Sequence, residues 1–147
     1  LIAIDVDDKK LARAKELGAD FTINSAKQDA AAEVKRIAGG EGAQGVLDFV
    51  GMDATLQTAV NSAARKGRVV MVGLGGGTLH YNFFAVPTEV TVSNSDWGSR
   101  SELEEVIALA RQGKIRANIE RVRLEDINPT FDRLEKGQIE GRAVVTF

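Results

Sequence analysis

The sequence predicts an α/β protein built on a parallel, doubly wound sheet. Three observations predict it. Strand-like and helix-like segments alternate across the first hundred residues, the pattern that places helices on both faces of a parallel sheet. The chain opens on a short continuous apolar run, Leu1-Ile2-Ala3-Ile4, which reads as a strand buried on both faces. That run ends in Asp5, and the carboxyl ends of strands form the edge where open α/β sheets bind ligands.

The elements follow in order. Lys9 to Leu17 carries Leu11, Ala14 and Leu17 on one side and predicts a helix closed by Gly18. Phe21 to Ile23 predicts a short strand ended by Asn24-Ser25. Asp29 to Ala38 places Ala30, Val34, Ile37 and Ala38 on one face of a 3.6-residue period. Gly45 to Val50 predicts the next strand. Met52 to Ala64 predicts a helix with Asp53 as N-cap and Leu56, Ala59, Val60 and Ala63 inward. Arg68 to Val72 is a strand followed by a glycine cluster, and Thr78 to Val86 is aromatic and irregular. Glu89 to Ser93 predicts another strand. Ser99 with Glu102, and Ser101 with Glu104, each match a capping box. They start a helix whose buried stripe is Leu103, Val106, Ile107 and Ala110, ended by Gly113. Ile119 to Leu124 alternates like a half-exposed strand, Ile127 to Leu134 is a helix with Pro129 in its first turn, and Gly141 precedes a last strand, Arg142 to Phe147. The alternation fades after Gly113. A sheet domain over 1–115 is therefore expected, with a segment over 116–147 that packs elsewhere.

Composition narrows the function. The 147 residues are enough for one domain with a core. A net charge of −2 offers no basic field to nucleic acid. The sequence has no cysteine, so it offers neither disulfides nor thiolate metal ligands, and the lone His80 cannot build a metal cluster. No apolar stretch reaches the length of a membrane span and no signal peptide is visible, which leads to the expectation of a cytoplasmic location. A chain that starts without methionine and inside a strand is expected to be a piece of something longer.

Asp5 is the first candidate site residue. A carboxylate there can accept both hydroxyl protons of a ribose and repels a 2′-phosphate, which favours NAD over NADP. The alternative is that Asp5 and Asp7 cap the following helix. Lys10 either reaches the same ribose or is a solvated helix lysine. The cluster Gly73-Leu74-Gly75-Gly76-Gly77 is not a phosphate loop. The dinucleotide fingerprint needs G-x-G-x-x-G between strand and helix, whereas Thr78 holds the sixth position and no helical pattern follows, so no helix dipole aims at a phosphate. The cluster reads as a sharp turn whose bare backbone can approach a flat ring such as nicotinamide, or as a plain loop. Phe49, Val50 and Gly51 can cover an adenine face, with core packing as the alternative, above all for Phe49. Arg142 can clamp a pyrophosphate through two parallel bonds, or be a surface charge. His80, Tyr81, Phe83, Phe84 and Trp97 line a substrate cleft or pack at an interface. No nucleophile with a base and no paired-carboxylate site is evident.

Taken together, LIAIDVDDKKLARAKELGAD, GVLDFVG, GRVVMVGL, DWGSRSELEEVIALARQGKI and GRAVVTF resemble the cofactor half of zinc-dependent alcohol dehydrogenases of the medium-chain dehydrogenase/reductase superfamily, from end to end of the chain. The likeness is greatest to bacterial and archaeal enzymes acting on secondary or broad-range alcohols. It implies a Rossmann-like sheet and a role in NAD binding for each matching residue. Asp5 and Lys10 match the ribose-binding pair. Phe49, Val50 and Gly51 match the adenosine wall. Val72, Gly73 and Leu74 match the strand end that holds the nicotinamide carboxamide, and Ser93 to Ser95, with Ser93 and Ser95 the contacts, match a second strand end near that ring. Arg142 matches the pyrophosphate arginine. The resemblance further implies that strand Glu89 to Ser93 pairs with its twin in a dimer or tetramer, and that the segment 116–147 returns to an N-terminal catalytic portion. It implies too a parent enzyme in which zinc would polarise the alcohol oxygen and NAD would accept the hydride.

Two departures stand beside the likeness. The family's zinc ligands are absent, and so is its first strand with the G-x-G-x-x-G turn. In the strand order 3-2-1-4-5-6 that strand would lie between those at Leu1 and Gly45. Backbone groups left buried and unpaired there would cost roughly 1 to 3 kcal/mol each, against a net stability of about 5 to 15 kcal/mol. The chain is therefore expected to need the N-terminal portion, a second copy or a rearranged sheet. Three other functions compete: a zinc-free, NADPH-dependent quinone reductase, which Asp5 opposes; a methyltransferase, which GRVVMVGL and GRAVVTF fit poorly; and a non-catalytic nucleotide-binding or assembly module.

Overall fold

The computed structural model describes residues 1–115 and 117–147. They form two compact units, Leu1–Asp96 and Trp97–Phe147. The first contains β1 (Ile2–Asp5), α1 (Asp8–Glu16), β2 (Phe21–Asn24), α2 (Ala30–Ile37), β3 (Ala43–Asp48), α3 (Asp53–Ser62), β4 (Ala63–Met71) and β5 (Thr91–Asn94). Every strand pair is parallel, as the alternation of strands and helices requires. The strands form two sheets, β1-β2 and β3-β4-β5. Among the described residues, β1 and β3 each keep one edge without a strand partner.

Local chemistry explains the helix starts. Asp7 caps α1, its carboxylate accepting from the Lys9 amide at 2.8 Å, and Gly18, at φ 106°, ends the helix in a conformation that other residues resist. Asp29 caps α2 through the Ala32 amide. Two apolar clusters hold the unit together. Ile23, Ala30 and Val34 bury the α2 stripe against β2. Ala59, Val60, Ala63, Val69 and Val90 do the same for α3 and β4.

Several boundaries differ from expectation. The opening strand is half-buried rather than buried on both faces, with Ile4 38% exposed, because among the described residues α1 is the one helix that packs extensively on it. Strand β3 starts two residues early and stops at Asp48, so Phe49 and Val50 lie beyond it. The Asp48 carboxylate draws the next amides onto itself and turns the chain out of the ladder. Met52, not Asp53, is the N-cap residue of α3, and the Asp53 carboxylate accepts from the Thr78 amide instead. Strand β4 begins at Ala63 and passes a register shift between its pairings at Ala43 and Gly45. Lys66, at φ 59°, lies in that irregular part. Glu89 precedes β5 rather than belonging to it.

The second unit contains α4 (Arg100–Arg111), β6 (Ile119–Val122), a 3-10 turn (Leu124–Asp126), α5 (Ile127–Glu135) and β7 (Arg142–Val145), with β6 and β7 parallel. The first capping box forms: the Glu102 amide donates to Ser99 Oγ at 3.2 Å and the Ser99 amide to Glu102 Oε2 at 2.5 Å. The second does not, since Ser101 Oγ bonds Ser99 Oγ and Glu104 pairs with Arg100. The stripe Leu103, Val106, Ile107 and Ala110, expected to be buried, is exposed. An apolar stripe is buried only where another element lies against it, and among the described residues of this unit no element packs extensively on α4.

Candidate functional site

The parallel register brings Asp48, Met71 and Asn94 side by side at the ends of β3, β4 and β5. The turns that follow therefore leave from one edge, the carboxyl edge at which such sheets bind ligands. Phe49-Val50-Gly51, Val72-Gly73-Leu74 and Ser93 to Ser95 are brought together there. Ser95 is tied in by its amide, which donates to the Met71 carbonyl at 2.9 Å.

Asp48, not among the residues expected from the sequence, organises this edge. It is 5% exposed. Its Oδ1 accepts from the amides of Val50 at 2.8 Å and Gly51 at 3.0 Å, and its Oδ2 accepts from Thr55 Oγ1 at 2.9 Å. Its carbonyl accepts from the amides of Val72 at 2.8 Å and Gly73 at 3.0 Å. The signal was one acid inside the apolar run GVLDFV; a charge there is tolerated only with its hydrogen bonds made.

The glycine cluster lies along the turn after β3. The Gly75 amide donates to the Val50 carbonyl at 3.0 Å and the Gly77 amide to the Gly51 carbonyl at 2.8 Å. A β-carbon at Gly73, Gly75 or Gly77 would come within 2.3, 2.6 or 2.4 Å of backbone atoms of Val50 or Asp53. One at Gly51 would meet the Gly73 carbonyl oxygen at 2.3 Å. What requires glycine here is the neighbouring turn. The outer rim is apolar and open: Phe49 is 68% and Leu74 88% exposed, with Val50 and Val72 also exposed. Core packing, the alternative for Phe49, is not what it does.

Asp5 ends β1, half-buried, opposite Asn24 of β2. Its Oδ1 accepts from the Asp7 amide at 3.0 Å, and among the described residues nothing bonds its Oδ2. Capping of α1 falls to Asp7, so one Asp5 oxygen stays uncommitted. Asn24 is buried and fixes the turn after Asp5: its Nδ2 donates to the Val6 carbonyl at 3.2 Å and to Asp8 Oδ1 at 2.6 Å. Lys27 Nζ reaches Asp8 Oδ2 at 2.5 Å. The Lys27 bond first, and then the Asn24 bond, hold the Asp8 carboxyl below the usual range. In the sequence Asn24 shows only as a strand stop.

Lys10 is exposed in the first turns of α1. Ser93 and Ser95 are exposed at the end of β5 and just beyond. Trp97 and Arg142 belong to the second unit. Trp97 is exposed at φ 50°, and Arg142 is exposed with its Nη1 donating to the Gly141 carbonyl. His80, Tyr81, Phe83 and Phe84 are exposed in the irregular segment of the first unit.

A dinucleotide suits the first unit: a carboxylate with a free oxygen at one strand end, and an apolar rim at the others. Zinc does not, since no group of three His, Cys, Asp or Glu side chains able to hold a metal occurs among the described residues.

The family model described as zinc-binding dehydrogenase matches residues 1–112. An alcohol dehydrogenase of Geobacillus stearothermophilus is 36% identical over 146 residues, 99% of this chain and 42% of the relative. An NAD-dependent alcohol dehydrogenase of Saccharolobus solfataricus is 34% identical over 147 residues, again 99% of this chain and 42% of the relative. The crystal structure of an alcohol dehydrogenase from Aeropyrum pernix superposes with a TM-score of 0.88 at 37% identity, covering 99% of this chain and 42% of that one. The chain thus spans less than half the length of the relatives it matches.

Proposed function

Because the chain belongs to the zinc-binding dehydrogenase family, we propose that it is the NAD-binding portion of a longer dehydrogenase that interconverts alcohols with aldehydes or ketones. Bound NAD supplies the hydride acceptor. The residues described here bind and orient it. Asp5 takes the adenosine ribose through its uncommitted oxygen, with Lys10 beside it. Phe49, Val50 and Gly51 form the adenosine wall. Val72, Gly73 and Leu74, with Ser93 and Ser95, border the nicotinamide. Arg142 neutralises the pyrophosphate, and Trp97 lines the substrate cleft. The zinc that activates the alcohol is held outside this chain, by an N-terminal catalytic portion against which the segment 116–147 packs. β5 is paired to β4 on one side only among the described residues, which supports a dimer or tetramer joined through β5. Among the described residues no helix is long and apolar enough to cross a membrane. We place the enzyme in the cytoplasm.

The observation that carries this reading is Asp5, a carboxylate at the carboxyl end of a parallel strand with one oxygen free. Calorimetric titration of the full-length dehydrogenase with NAD, NADP and S-adenosylmethionine tests it. NAD binds, NADP binds at least about ten-fold more weakly, and S-adenosylmethionine does not bind. Asp5→Asn weakens NAD by about ten-fold, the worth of a hydrogen bond to a charged group. Equal affinity for NADP, or an Asp5→Asn variant that binds NAD as the parent does, overturns the assignment.

A further inference from the structure

We propose that Asp48 is a positioning residue for the dinucleotide, locking the turn after β3 and the turn after β4 into one block so that the two walls of the cleft keep a single spacing. This rests on the reading of the strand ends as the NAD site.

The bonds run in two directions from this one residue. The side chain holds the turn after β3, through the Val50 and Gly51 amides, and the start of α3, through Thr55 Oγ1, which in turn accepts from the Met52 amide at 3.0 Å. The main-chain carbonyl of the same residue holds the end of β4, through Val72 and Gly73. The glycine contacts then close the block, since the Gly75 and Gly77 amides donate to the carbonyls of the very residues whose amides Asp48 binds. Backbone meets backbone at van der Waals limits, so neither turn can shift without the other.

A helix cap alone would not need this arrangement. Asp48 lies outside α3, whose N-cap position is Met52. The carboxylate is buried, yet its partners are amides and a hydroxyl, and no cation pairs with it among the described residues. Burying a charge is costly unless several donors converge on it. What that convergence achieves is visible in the rim. Phe49 and Leu74 stand outward from a fixed base, where a flexible turn would let them fold back onto the apolar strand ends.

The test uses the full-length dehydrogenase, with NAD as the probe. Asp48→Ala weakens NAD by about ten-fold in calorimetric titration and raises its KM in proportion, while the KM for alcohol changes less than about two-fold. Amide hydrogen exchange in the same variant quickens at Val50 and Gly51, and also at Gly75 and Gly77, which Asp48 does not touch. Asp48→Asn recovers most of the affinity, because an amide oxygen still accepts from Val50 and Gly51. Should the alanine variant fail to fold, Thr55→Val removes the Oδ2 contact and the Met52 bond, leaves the Val50 and Gly51 bonds to Oδ1 in place, and weakens NAD by about three-fold. Unchanged NAD affinity in folded Asp48→Ala, or in Thr55→Val where the alanine variant does not fold, overturns the proposal. So does faster exchange confined to Val50 and Gly51. A parent enzyme that binds no NAD at all would instead overturn the cofactor site itself, and the exchange pattern would still report whether the two turns are one block.

Discussion

A β-carbon placed on Gly73 would stand 2.3 Å from the Val50 carbonyl carbon and 2.4 Å from the Val50 nitrogen. Neither atom can yield as the tip of a side chain would, so Gly73→Ala must push two turns apart. We expect a loss of about 1 to 3 kcal/mol, the usual cost of overpacking. Gly45→Ala is the matched control: it lies in β3 with nothing within 4 Å of the new carbon, and should stay within about 0.5 kcal/mol of the parent. Urea unfolding midpoints of the two variants decide it, and equal midpoints would refute the interlock. At this scale the sequence showed that glycines cluster after a strand, but not what they make room for. Their neighbours are residues 49–53, more than twenty positions earlier in the chain.

Helix α1 and the turn that feeds it depend on charge as well as on capping. Asp8 is held below its ordinary pKa by Lys27 and then by Asn24. A group whose folded pKa is depressed contributes stability above its unfolded pKa and loses it as pH falls through the folded value. The Asn24–Asp8–Lys27 cluster should therefore loosen on acidification below the usual carboxylate range. Glu33, Glu102 and Glu120 are shifted in the same direction by Arg36, Ser99 and Arg133, so the acid limb of the whole chain is shared. The specific expectation is a difference: melting temperature falls less steeply with acidity in Asp8→Asn than in the parent, by a modest amount because the pair is exposed. Parallel acid limbs would show that the cluster does not stabilise the turn. Elements of this kind were legible because their causes are local. Ser99 with Glu102, Gly18 and the period of α2 sit within one or two turns of what they control. The apolar stripe of α4 was legible as a pattern, whereas its burial depended on a partner surface.

Over the whole chain, the feature with the largest consequence is the separation of β1-β2 from β3-β4-β5. Each sheet keeps the parallel pairing of a doubly wound fold, so the strands have not rearranged to close on one another. Ile4 and Leu47, on the strands with the free edges, are 38% and 59% exposed. An unpaired parallel edge beside exposed aliphatic side chains is a template for another strand. Sedimentation of the isolated 147-residue chain should therefore show dimers or larger species. A stable monomer that keeps this pairing would overturn the expectation.

The sequence by itself determined the alternation of strands and helices, most element boundaries to within two residues, the glycine stop of α1, the first capping box of α4, and the carboxylate that ends β1. All of these follow from residues close together in the chain. Only the tertiary structure decided that Phe49 faces outward, that the glycines serve a neighbouring turn, and that Asp48 and Asn24 are the buried polar groups fixing the two strand-end regions. Those facts depend on which backbone amides come within 3 Å or so of a given side chain or β-carbon. Parallel pairing sets such neighbours across crossovers of some twenty residues, a distance over which no local pattern carries information.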